Sequence, residues 1–194
     1  MKHLNEFIIE KLRINKDTKV KGTTPIKYFP KDLKELRNII YEEKIQHGDY
    51  NLNDIDVSNI TDMSHLFRYG FPDHFIFLEM DEWDVSNVTK MAGMFGSGGL
   101  SNFNTDISDW DVSNVTDMDF MFDNCEKFDC DLSKWKPKSL LYCKRMFYKC
   151  RKFDYDLSNW DCPNIREPWS MFELTKMEHK TEYLPKWYYV DSEN

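Results

Sequence analysis

Trp83-Asp84-Val85-Ser86-Asn87-Val88 and Trp110-Asp111-Val112-Ser113-Asn114-Val115 are one six-residue phrase written twice. Decayed versions open at Trp135 and Trp160, and a version without the Trp begins at Ile55. Self-similarity at a period of roughly 20–50 residues predicts units that bury their apolar faces only by stacking on their neighbours. A second set of landmarks keeps the same register: Phe67, Phe95, Phe122, Phe147 and Phe172 follow one another at steps of 28, 27, 25 and 25 residues. The length variation falls between each Phe and the next apolar anchor, which puts loop insertions on one edge of the first two units.

Within a unit, Thr116-Asp117-Met118-Asp119-Phe120-Met121-Phe122 reads as a Thr N-cap followed by apolar residues at i, i+3 and i+4. That spacing predicts a short helical turn. Thr61 stands in the same relation to Met63, Leu66 and Phe67, and Thr89 to Met91, Met94 and Phe95. A polar bend follows, then Phe128-Asp129-Cys130-Asp131-Leu132-Ser133-Lys134-Trp135, whose apolar residues recur near strand spacing. One short strand per unit, joined into a parallel sheet, is the expectation.

The ordered pattern Met-Phe-x-x-Cys-x-x-Phe-x-x-Asp-Leu-Ser-x-Trp-Asp-Val-Ser-Asn-Val-Thr-x-Met over residues 50–175 resembles the BspA-type leucine-rich-repeat family, in its DUF285 or surface-protein-repeat form. The later units depart from it, with Lys136-Pro137-Lys138-Ser139 and Asp161-Cys162-Pro163-Asn164 in place of Asp-Val-Ser-Asn. The resemblance implies recognition and adhesion carried by exposed positions. The opening Leu4-Asn5-Glu6-Phe7-Ile8-Ile9-Glu10-Lys11-Leu12 also resembles leader segments of Bacteroides-type bacterial and phage proteins.

The expected fold is therefore an α/β repeat solenoid, a leucine-rich-repeat-like right-handed array with a short parallel sheet and short helical turns. Its parts are an N-terminal helical capping segment over 1–50, five repeats of about 25–28 residues over 51–175, and a C-terminal cap over 176–194. In the first part Leu4, Phe7, Ile8 and Leu12 share one helical face; Pro30 is a helix start, and Leu33, Leu36, Ile39, Ile40 and Ile45 continue a second stripe. In the last, Tyr183-Leu184-Pro185-Lys186-Trp187-Tyr188-Tyr189-Val190 reads as an added strand.

At 41% hydrophobic and 15% aromatic residues, the 194-residue chain carries enough apolar surface for a long core. Trp83, Trp110, Trp135 and Trp160, with the five landmark Phe residues, are assigned to that core rather than to a stacking platform for sugars or bases. No uninterrupted apolar run suits a secretory signal or a membrane span, so a cytoplasmic location is expected. Five cysteines at an odd count and without a Cys-x-x-Cys pair read as small buried thiols, not as a metal set.

Asp106, Asp131 and Asp156 share one repeat position, and Asn104, Asp129 and Asp154 share the position two residues earlier. Carboxylates stacked in this way need compensation, from hydrogen bonds to the adjoining bend or from a cation such as calcium. The Gly-rich nonapeptide of calcium-binding rolls is absent, and no metal and no cofactor are expected. No metalloprotease, nucleophile-elbow or phosphate-loop motif occurs, so no catalytic residue is assigned.

Residues 1–45 carry a net charge of +4 and residues 46–194 a net charge of −12. So acidic a body disfavours phosphate backbones and suits a basic protein surface. The expected function is a non-enzymatic protein–protein interaction module, a repeat scaffold acting as a monomer or weak dimer without nucleic acid or membrane. Alternatives are a phage or mobile-element effector that inhibits a host defence protein, and a glycan or cell-surface adhesin. Contact residues are expected at Tyr69, Phe71, His74 and Phe75 in the inserted loop and at the acids Asp106, Asp131 and Asp156.

Overall fold

The computed structural model describes residues 24–68, 78–96, 100–166 and 168–189. The stripe expected from Leu4 to Leu12, and the residues Tyr69, Phe71, His74 and Phe75, lie outside them.

The one α-helix among the described residues, α1 (Leu33–Asn38), starts where Asp32 accepts a hydrogen bond from Glu35 N at 2.8 Å. Glu35 in turn accepts from Lys31 N at 3.0 Å, so two backbone donors at the helix entrance are satisfied. The chain continues helically through a π-helical stretch, Ile39–Lys44, and a 3-10 turn, Ile45–His47. It stops at Gly48, which adopts a left-handed φ of 70° that costs glycine little. Leu36, Ile40 and Lys44, four residues apart, form the buried face, with Ile45 beside them. Lys44 is tolerated there because its ammonium meets Asp54 at 2.9 Å and Asp49 at 2.6 Å.

The expected helical turns are corrected. Each contains a residue in the left-handed region, at His65, Gly93, Phe120, Arg145 and Ser170, which breaks the right-handed winding a helix requires. Backbone groups turn outward instead and bond to the neighbouring turn. Met63, His65 and Phe67 donate to the carbonyls of Lys90, Ala92 and Met94 at 2.8, 2.8 and 3.2 Å. Met91, Gly93 and Phe95 donate to Asp117, Asp119 and Met121 at 2.8, 2.7 and 3.0 Å. Along this row the N–H groups face the later turn and the carbonyls face the earlier one. The threonines cap no helix: Thr89 and Thr116 hydroxyls donate to the carbonyls of Thr61 and Thr89, each at 3.0 Å.

The expected parallel sheet is corrected as well. Among the described residues there is no strand, only isolated parallel bridges such as Asp62 with Lys90, Lys90 with Asp117 and Asp117 with Tyr142. Segments such as Phe128–Trp135 cannot extend into strands because Asp131 accepts from Ser133 N at 2.9 Å and bends the backbone after two or three residues. The C-terminal tail forms 3-10 turns, Thr181–Tyr183 and Lys186–Tyr189, in place of the expected strand. With one short α-helix, no strand and no sheet among the described residues, the α/β solenoid and leucine-rich-repeat array are not the fold. The functions built on such an array, the repeat-scaffold interaction module with its effector and adhesin alternatives, fall with it.

What holds the described residues together is aromatic packing. Phe67, Phe95, Phe122, Phe147 and Phe172 are all buried, and successive pairs stack at centroid separations of 5.4, 5.5, 5.5 and 5.7 Å. Trp83 stacks on Trp110 at 6.3 Å and Trp135 on Trp160 at 6.2 Å. All four of these Trp residues are buried, and each indole N–H finds a carbonyl, for example Trp135 Nε1 to Ile107 O at 3.1 Å. The rings are closed off from any sugar or base.

Candidate functional site

On the polar side of the aromatic core, Asn104, Asp106, Ser108, Asp129, Cys130 and Asp131 line an open cleft of about 300 Å³. Each acid is set by the turn it belongs to. Asp106 accepts from Ser108 N at 3.0 Å and Asp131 from Ser133 N at 2.9 Å, so one oxygen of each carboxylate is fixed by its own backbone. Asp129 N donates to Asn104 Oδ1 at 2.7 Å, tying the two walls together. Tyr155 donates its hydroxyl to the Asp129 carbonyl at 3.0 Å and to Asp129 Oδ1 at 3.2 Å.

The electrostatics of the cleft are those of fixed carboxylates beside a silent thiol. Burial, with the nearby Asp106 and Asp131 charges adding to it, pushes the Cys130 thiol up to about 12. At neutral pH it is a protonated thiol. Burial and the Asp129 carboxylate raise the Tyr155 phenol, which therefore remains a donor. Among the described residues no three His, Cys, Asp or Glu side chains are grouped so as to hold a metal ion.

Of the acids singled out from the sequence, Asp106 and Asp131 meet in this cleft, whereas Asp156 is exposed outside it. Asp156 accepts from Ser158 N at 2.8 Å, and hydrogen bonds from the Ser158 side chain and backbone hold its carboxyl below the usual range. Tyr155 and Lys180 were not legible as site residues. Lys180 Nζ lies 2.5 Å from Asp154 Oδ1 and 5.1 Å from the centre of the Tyr183 ring. Asp154 follows Asp129 by 25 residues, as Asp129 follows Asn104. The chain thus seats one of its own ammonium groups at the position next along from the open cleft.

A family model described as "Mycoplasma protein of unknown function, DUF285" matches residues 34–98 and 70–187. No curated protein and no solved structure matches the chain. The match corrects the expected membership of a BspA-type leucine-rich-repeat family from a Bacteroides-type bacterium or phage: the matched description carries neither a leucine-rich repeat nor that origin. Among the described residues no helix is long and apolar enough to cross a membrane.

Proposed function

We propose, for a chain that belongs to the DUF285 family and inherits no known activity from it, that the molecule is not an enzyme and seats a basic side chain of a protein partner between Asp106 and Asp131. The observation that carries this reading is the Lys180–Asp154 pair, in which an ammonium of the chain sits on the acid that stands, 25 residues along, at the position of Asp129 in the wall of this cleft, two residues before the position that Asp106 and Asp131 share. A cleft of about 300 Å³ has room for a lysine or arginine head group with part of its stem. The acids are held by their Asx turns before anything binds, which lowers the ordering cost of recognition. No scaffold is required, because one cleft in a compact unit suffices.

Nucleic acid is a poor partner for this surface, since residues 46–194 carry −12 and repel a phosphate backbone. Action in the cytoplasm as a monomer or weak dimer, away from membranes, completes the reading, and five unpaired buried thiols agree with a reducing compartment.

The test is fluorescence anisotropy with a labelled hexalysine peptide. Asp106→Asn with Asp131→Asn is expected to weaken binding at least about tenfold, more than one hydrogen-bonded charge is worth at a rim. Asp84→Asn with Asp111→Asn removes the same charge elsewhere and is expected to change affinity less than about twofold. Equal losses in the two pairs would mean diffuse attraction and would overturn the proposal.

A further inference from the structure

An acidic body carries one segment of the opposite sign. Between Tyr142 and Phe153 stand Lys144, Arg145, Lys149, Arg151 and Lys152 without a single acid. Arg145 reaches Asp123 only at 3.5 Å and Arg151 reaches Glu126 only at 3.8 Å. For Lys144, Lys149 and Lys152 no ion pair within 4.0 Å is present among the described residues.

Aromatic faces hold these cations in place. The Arg145 guanidinium lies 3.9 Å from the centre of the Tyr148 ring and 5.7 Å from that of Phe120. Lys149 stands over Tyr148 at 5.3 Å and Lys144 over Phe120 at 6.0 Å. Such contacts fix a long side chain while leaving its donors unused. Arg145 Nε is itself buried without a hydrogen-bond partner. On the next turn Trp169, whose carbonyl accepts Arg145 N at 2.9 Å, leaves half of its side chain exposed.

We infer that Lys144, Arg145, Lys149 and Lys152, with Tyr148 and Trp169, form a second recognition surface, and that its occupant is a short acidic peptide segment of a partner protein. Charge complementarity selects an anion, and the neighbouring Trp169 offers apolar contact to a residue flanking the carboxylates. A long polyphosphate is the poorer fit, because it would extend past this patch over a body, residues 46–194, whose net charge is −12 even with these cations included. This inference stands apart from the Asp106 cleft: it concerns other turns and the opposite charge.

A fluorescein-labelled hexaglutamate peptide followed by one tyrosine is the probe, titrated by anisotropy at low and at physiological salt. The full chain is expected to bind it more tightly than it binds a labelled oligothymidylate of equal charge. Lys144→Gln, Lys149→Gln and Lys152→Gln together are expected to weaken peptide binding at least about tenfold. Among the described residues these side chains make no ion pair, so the triple variant should keep the wild-type melting temperature. Trp169→Ala is expected to abolish the change in intrinsic fluorescence that accompanies binding. Equal affinity of wild type and triple variant for the peptide, or tighter binding of the oligonucleotide, would overturn the inference.

Discussion

The Arg37 guanidinium donates to the carbonyls of Ser64 and His65, at 2.8 and 2.9 Å, where the row of outward-facing carbonyls would otherwise end. At the far end Leu174 N, an outward-facing donor, is taken by Glu178 Oε2 at 3.0 Å. A cation closes the carbonyl end and an anion closes the N–H end, the arrangement that aligned peptide dipoles favour. Arg37→Ala is expected to lower the unfolding free energy by about 1 kcal/mol, because the pair is exposed to water. Urea unfolding checks it, and Arg37→Lys is expected to recover only part of the loss, since one ammonium cannot reproduce the fork.

Gly93 and Gly96 test how tightly neighbouring turns approach. A Cβ on Gly93 would stand 2.3 Å from His65 Nδ1, and one on Gly96 would stand 2.0 Å from the Phe120 carbonyl oxygen. Either alanine is expected to cost about 1–3 kcal/mol through overpacking. His65→Ala should relieve much of the first loss, although the left-handed φ of 58° at Gly93 keeps a penalty. It should relieve none of the second, where the obstacle is backbone. Double-mutant melting curves separate the two.

The Lys44 cluster predicts a two-sided pH profile. Burial lowers the Lys44 pKa, but the hydrogen bonds and charges of Asp49 and Asp54 outweigh it and hold the group above its usual value. Burial raises Asp49, and the Lys44 hydrogen bond, with backbone and charge contributions, outweighs it and holds that carboxyl low. The Lys44 contribution is therefore whole below pH about 10 and is lost as the pH rises through its raised folded value. The Asp49 contribution is whole above pH about 4 and is lost as the pH falls through its lowered folded value. Lys44→Met should cost about 1–3 kcal/mol near neutrality by leaving the buried Asp54 to Lys27 alone, which meets it at 2.9 Å, and should flatten the alkaline limb of the urea midpoint.

Phe122 stacks on Phe95 and Phe147 and lies 4.2 Å, centroid to centroid, from Phe128. Phe122→Ala is expected to cost about 3–5 kcal/mol and Phe122→Leu clearly less. Calorimetry on the two variants decides whether ring burial at this depth carries the stability of the fold.

The core residues were readable because Trp83, Phe95 and their counterparts recur at fixed spacing, and a large ring at a fixed place has little choice but burial. The backbone between them was not. Phe120, Arg145 and Ser170 adopt left-handed φ values of 57°, 52° and 56° without the glycine that normally signals that conformation. Their apolar spacing therefore imitated a helical turn. Alternation from Phe128 to Trp135 imitated a strand for a similar reason, since bends after Asp106 and Asp131 expose the same alternate faces that a pleat would. At the candidate site, the acids were visible by position, but the seating of Lys180 on Asp154 depends on a partner 26 residues away that no local pattern names.

Every cysteine of the chain is buried and unpaired, and burial raises the thiol pKa of all five, to about 12 for Cys130 and Cys162. At neutral pH the folded chain offers almost no thiolate to an alkylating reagent. A cysteine introduced at an exposed site such as Asp156 would then be the one sulfur to take a maleimide dye, so the natural sequence serves as a labelling background without removing any of its own thiols.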